Sequence, residues 1–157
     1  MKDVLPSRSS STGTRTCRPV RDTDELAVHH RIRRHVFVEE QGLFPDDDRD
    51  VHDDDPATVH VLGLVDGQPA GTVRLYPLAG ELWKGDRLAV LAEQRHSGIG
   101  GPLVRFAVAT AAERGGRRMD ATVQAVNTAF FVGLGWTPVG EPVEHLGVPH
   151  QAMTIGF

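Results

Sequence analysis

The spacing of apolar residues changes period several times along the chain, and each change marks an element. From Thr58 to Val65 apolar side chains fall on both faces, Val59, Val61 and Val65 against Leu62 and Leu64, as in a strand covered on both sides. Asp66-Gly67 suits a two-residue hairpin turn, whose central positions need positive φ, and predicts an antiparallel strand over Ala70–Tyr76. A further strand is predicted from Glu81 to Val90. Leu103, Phe106, Ala107 and Thr110 recur at helical spacing within a helix predicted over Pro102–Glu113, which Gly115-Gly116 ends. Upstream, Leu26, Ile32, Val36 and Phe37 predict a helix from Asp24 to Val38, with Asp22 and Glu25 spaced as in a capping box. A short strand over Cys17–Val20 precedes it. Met119–Val123 reads as a strand, Thr128–Leu134 as a short helix, and Thr137–Val139 and Gln151–Ile155 as closing strands. Met1–Thr16 is rich in Ser, Thr and Arg without periodic apolar positions, and reads as a disordered tail. There is no internal repeat. The order β-α-loop-β-β-β-α-β-α-β-β describes an α/β (α+β) domain over residues 17–157, a mixed sheet with helices on both faces.

Composition narrows the classes. A chain of 157 residues can build a sizeable core. No run approaches the roughly eighteen apolar residues of a membrane span, and the N-terminus lacks the apolar region of a secretory leader. A single cysteine, Cys17, excludes an intramolecular disulfide and gives no zinc set, which suits a cytoplasmic protein. Net charge is −4, which argues against nucleic acid as a partner and favours a neutral or cationic substrate. The loop Pro45–Pro56 holds seven aspartates. It lacks the glycine and final glutamate of a calcium-binding EF-hand loop, so no metal site is expected there, although its charge would attract a cationic amine.

The most informative stretch is Arg95-His96-Ser97-Gly98-Ile99-Gly100-Gly101. It lies between the apolar run Leu88–Leu91 and a predicted helix. A strand that turns through glycines into a helix N-terminus presents unpaired N–H groups and the positive end of the helix dipole, a site for an anion. The spacing matches neither a Walker A loop nor the Rossmann fingerprint.

That stretch resembles the Gln/Arg-x-x-Gly-x-Gly/Ala pyrophosphate loop of the GNAT superfamily of acyl-CoA-dependent N-acetyltransferases. Three more segments agree in order: Asp86-Arg87-Leu88-Ala89-Val90, the strand into the loop; Asn127 to Trp136, similar to Asn-x-x-Ala…Leu-Gly-Phe; and Arg33 to Gln41, similar to the Arg-x-x-Val-Phe-Val-x-Glu-Gln opening of the ElaA-like branch. The Asp-rich loop and Gly147-Val148-Pro149-His150 also resemble segments of that branch. The resemblance spans residues 17–157. It implies the GNAT fold, with a mostly antiparallel sheet, and transfer of an acetyl group from acetyl-CoA to a small-molecule amine.

On this resemblance, Leu88, Ala89 and Val90 receive the pantetheine arm, Arg95, His96, Ser97, Gly98, Ile99, Gly100 and Gly101 hold the pyrophosphate, and Asn127 and Phe131 belong to the cofactor side. Arg33, Glu40 and Gln41 would line the acceptor site. The amine must be neutral to attack, so a general base is needed. Asp86, two and four residues from Leu88 and Val90 on the strand, is the first candidate, unless it is tied up in an ion pair such as one with Arg87. His150 is the second. Many GNAT enzymes protonate the leaving thiolate with a tyrosine where this chain has Phe131. A thiol pKa of about 8.5 lets the thiolate leave without an acid. Two other readings stay open: acyl-homoserine-lactone-type synthesis on the same fold, and a catalytically silent acyl-CoA-binding module. Monomer and homodimer are both compatible with the sequence.

Overall fold

The computed structural model describes residues 13–157. Seven strands form one sheet in the order β1-β2-β3-β4-β5-β7-β6. They are β1 (Arg15–Pro19), β2 (Val59–Val65), β3 (Gln68–Ala79), β4 (Leu82–Val90), β5 (Arg118–Gln124), β6 (Thr137–His145) and β7 (Val148–Gly156). Strand β1 pairs antiparallel with β2, and β7 lies antiparallel to both β5 and β6, whereas β4 and β5 are parallel. The helices are α1 (Thr23–Arg33), α2 (Gly100–Glu113) and α3 (Thr128–Gly133).

Two compact units divide the chain. One holds the residues up to Arg49 with His60–Val73 and Arg87–Phe106, and the other holds Asp50–Val59, Arg74–Asp86 and Ala107–Phe157.

In the first unit, α1 starts at Asp22, whose Oδ1 accepts from the Glu25 N–H (2.8 Å). The reciprocal half of the capping box is redirected: Glu25 accepts from the Arg21 N–H and pairs with Arg18 and Arg21. The helix continues as a π-helical segment over Arg34–Glu40, so it reaches past the predicted end at Val38. Ile32, Val36 and Phe37 pack against Leu62, Leu64 and Ala89 as the core of this unit. The hairpin turn forms as predicted, with Asp66 and Gly67 both at positive φ (50° and 80°). Asp66 also binds the Thr14 backbone, its N–H donating to the Thr14 carbonyl (2.7 Å). Of the expected tail, Met1–Thr12 lies outside the described residues, and Arg15 and Thr16 belong to β1 instead of a disordered segment. Pairing with β2 supplies the order that composition did not signal.

In the second unit the Asp-rich loop contains a turn of 3₁₀ helix, Val51–Asp54, closed by a capping box between Asp50 and Asp53. Gly116 ends α2, its N–H donating to Ala111 O (2.8 Å). A β-carbon at Gly116 would lie 2.6 Å from the Trp83 ring, so only glycine lets that indole pack there. The closing strands run longer than predicted, because Leu146 and Gly147, at φ 53° and 78°, form a second tight hairpin turn between them.

Candidate active site

The end of β4 and the start of α2 lie in the first unit. Between them Gln94 N–H donates to Leu91 O and Ser97 N–H to Gln94 O, winding the chain into one turn. Gly98 then takes φ 80°, a left-handed conformation that costs glycine little. Ile99 N–H donates to the Ser97 hydroxyl (3.3 Å) and α2 begins at Gly100. The first N–H groups of a helix have no helical acceptor, and here Pro102 has no N–H to satisfy.

Ile99 and Leu103 are fully buried and seat α2 at two glycines of the sheet. A β-carbon at Gly63 would come within 2.9 Å of Ile99 and 3.0 Å of Leu103. One at Gly71 would meet the Ala89 carbonyl oxygen at 2.7 Å. Two cations that the sequence reading did not single out stand at the loop. Arg15 donates to the carbonyls of Ser97 (3.3 Å) and Gly98 (3.5 Å). The Arg105 guanidinium lies 3.3 Å from where a β-carbon of Gly101 would be. Helix N-terminus, left-handed glycine and two arginines form a donor set suited to a polyanion such as the CoA pyrophosphate.

Arg95 itself is engaged elsewhere. It forms a bidentate pair with Glu40 (2.5 and 2.6 Å) and donates to Val90 O (3.2 Å). The hydrogen bond from Arg95 holds the Glu40 pKa below the ordinary carboxylate value. The pair ties the π-helical segment to the phosphate loop, joining a residue expected at the acceptor side to one expected at the cofactor. Gln41 is exposed, its N–H donating to Val36 O (2.9 Å).

Arg33 is entirely buried. Its Nε–H donates to Asp48 Oδ2 (2.7 Å) and its NH1 faces His29 Nε2 (3.3 Å). His29 Nδ1 lies 3.0 Å from Val61 O, which can only accept, so the proton sits on Nδ1 and Nε2 accepts from Arg33. Burial, reinforced by the Arg33 charge, lowers the His29 pKa to about 2. Arg33 therefore spends its charge in the interior.

On β4, Asp86 pairs with Arg74. Arg74 Nε and NH2 donate to its two carboxylate oxygens (2.8 and 2.7 Å). Arg74 is fully buried and also donates to Asp50 (2.7 Å) and Asp53 (3.0 Å), so one guanidinium holds three carboxylates in the second unit. Burial alone would lower the Arg74 pKa, but the hydrogen bonds to Asp86 and Asp50 outweigh it and raise it. Arg87 is left-handed (φ 54°) inside β4.

In the second unit, β4 is registered to β5 over only Leu82–Lys84. His150, on β7, has Nδ1 2.8 Å from Val148 O. That carbonyl fixes the proton on Nδ1 and leaves Nε2 as the basic nitrogen. The His145 ring lies edge-on at 5.6 Å. Asn127 stands exposed at the start of α3, while Phe131 is buried with its ring edge-on to Trp136 (5.6 Å).

A mixed sheet whose fourth strand runs through a glycine turn into a helix, with cations at that turn, is a scaffold suited to a phosphate-bearing ligand. The chain belongs to the acetyltransferase (GNAT) family, whose family model matches residues 25–135. The uncharacterized protein YyaT of Bacillus subtilis (strain 168) is 30% identical over 137 residues, 85% of this chain and 92% of that protein. The crystal structure of Escherichia coli ElaA shares the fold with a TM-score of 0.79 at 23% identity, covering 90% of this chain and 98% of that one. The CoA-dependent acyl-homoserine lactone synthase BjaI, solved with SAM and isopentyl-CoA, shares it with a TM-score of 0.72 at 24% identity, covering 85% and 76%. Among the described residues no helix is long and apolar enough to cross a membrane.

Proposed function

We propose that this protein moves an acetyl group from acetyl-CoA to a small-molecule amine by direct attack of the amine, acting in the cytoplasm. The observation that carries this reading is the turn Arg95–Gly101, with Gly98 left-handed and Arg15 and Arg105 beside it. Acetyl-CoA, when bound, supplies the acetyl group as a thioester. His96, Gly98, Gly100 and Gly101 would offer backbone N–H groups to the pyrophosphate, and Arg105 would add charge. Ser97 and Ile99, both buried, act by shaping the turn. The backbone of Leu88–Val90 would pair with the pantetheine arm, and an N–H there would donate to the carbonyl oxygen as negative charge builds on it.

His150 would take the proton from the amine through Nε2, since its Nδ1 is committed to Val148 O. Asp86, gripped by Arg74, would draw the ammonium form of the acceptor toward the site together with Asp50. No acid is assigned to the leaving thiolate, because Phe131 stands where a tyrosine would be. Gly100→Val tests the assignment of the loop. The added side chain enters the space of the phosphate oxygens, and calorimetry should show CoA binding weakened at least tenfold with little change in Tm. Unchanged CoA affinity would overturn the assignment. Parallel assays with acetyl-CoA, longer acyl-CoA and acyl-carrier protein separate acetyl transfer from acyl-homoserine-lactone-type chemistry.

A further inference from the structure

We propose that Asp48 is a positioning residue for acyl transfer: it anchors Arg87, the left-handed residue of β4, and thereby aims the backbone of Leu88–Val90. The inference rests on the reading above, in which that backbone receives the acyl-CoA.

Asp48 lies in the Asp-rich loop yet is 1% exposed. Its Oδ2 accepts from Arg33 Nε (2.7 Å) and from Arg87 Nε (2.9 Å). Its backbone carbonyl accepts from Arg87 NH2 (2.7 Å) and Nε (3.2 Å). The same guanidinium lies over the Phe44 ring, 5.0 Å from its centroid. At the other end of the residue, the buried Thr72 hydroxyl donates to Arg87 O (3.0 Å). Arg87 is thus held at both its side chain and its carbonyl while its backbone is in a region that L-residues avoid.

Glycine would adopt φ 54° without that cost. An arginine there makes sense if its side chain sets the conformation. The peptide that follows a left-handed residue is turned relative to regular strand geometry, and that peptide carries the Leu88 N–H. Arg33 completes the arrangement from behind: a fully buried cation, fixed by His29, keeps the Asp48 carboxylate in place for Arg87. Arg33, expected from the family motif at the acceptor side, therefore acts on the strand that receives the cofactor.

The experiment compares Asp48→Asn, Arg87→Gly and the double variant. Asp48→Asn keeps the size but removes the charge. Arg87→Gly accepts the backbone conformation and removes only the anchor, so it folds even where Asp48→Asn does not. The first readout is amide hydrogen exchange of the free protein, which needs no ligand or activity. Asp48→Asn and Arg87→Gly should each lower protection at Leu91, whose N–H donates to Ala70 O (2.9 Å) just past the strand end, about tenfold or more, with Val61 and Leu62 on β2 unchanged. The second is kinetics with acetyl-CoA and the most active acceptor of an amine panel. Each single variant should lower kcat about 10- to 100-fold while KM for acetyl-CoA changes less than about threefold, and the double variant should be no worse than the poorer single one. Unchanged protection at Leu91 overturns the proposal, as do additive kinetic losses. A wild-type protein that neither binds CoA nor releases thiol contradicts the functional reading, and the exchange result then still decides whether Asp48 sets the strand.

Discussion

At the scale of single residues, His29 carries the clearest chemistry. His29 is buried between a carbonyl, which accepts from its Nδ1–H, and a guanidinium that faces Nε2; burial and the Arg33 charge together oppose a second proton on the ring. Its pKa is lowered to about 2, so between that value and the ordinary 6.5 the unfolded chain binds a proton that the folded chain does not. Stability from this group is full above pH 6.5 and is lost as pH falls below it, at up to about 1.4 kcal/mol per pH unit. We expect the His29 ring signals in NMR spectra to show no titration from pH 8 to 5, and His29→Gln to flatten the pH dependence of urea stability over that range. A His29 midpoint near 6.5 would contradict this. His150 is partly exposed with Nε2 available, and His150→Gln should lower kcat/KM by about 10²–10⁴ with CoA affinity retained. Asp86→Asn should instead lower stability, by about 1–3 kcal/mol, because it withdraws a charged acceptor from buried Arg74. Equal activity of His150→Gln and wild type from pH 6 to 9, a range of about two units around a neutral base, would assign deprotonation to solvent or another group.

At the scale of elements, the sequence was legible where period and turn chemistry agree. The apolar run of β2, the Asp66-Gly67 turn and the Gly115-Gly116 stop each have one local solution, and each appears as expected. Other features depend on contacts that no local pattern encodes. The π-helical segment at Arg34–Glu40 preserves the apolar spacing of a helix, so its different hydrogen bonding is invisible in the pattern. Strand β6 is exposed along its whole length and contains Glu141 and Glu144, so it shows no buried face to read. Leu146-Gly147 was nevertheless a readable turn signal, since its glycine precedes a β-branched residue after a polar run. Arg74 as the partner of Asp86, and Asp48 as the partner of Arg87, join positions 12 and 39 residues apart, beyond any motif. The close seating of β3 against β4 gives a test. Gly71→Ala would bring a β-carbon onto the Ala89 carbonyl, and we expect it to cost about 1–3 kcal/mol in chemical denaturation and to weaken CoA binding. Gly133→Ala, where a β-carbon meets nothing, should have neither effect.

At the scale of the whole molecule, family membership follows from the match over residues 25–135, and the motifs in the chain had already implied it. What the family alone does not supply is how this chain supports its loop and strand: Arg15 and Arg105 at the glycine turn, Glu40 clamping Arg95, and Asp48 holding Arg87. These charges are distributed locally, so a net charge of −4 does not oppose binding of an anionic cofactor. On the proposed reading, exposed Arg15 and Arg105 would meet the phosphates through water-accessible charge, so CoA affinity should fall as salt rises. The central claim is that acyl-CoA is held by the turn Arg95–Gly101 with its acyl arm along Leu88–Val90. The most direct measurement is an NMR titration of the ¹⁵N-labelled protein with acetyl-CoA. The account predicts saturable shifts concentrated at the amides of His96–Gly101 and Leu88–Val90, abolished at those sites by Gly100→Val. Saturation with the largest shifts elsewhere, or no saturable binding, would contradict it.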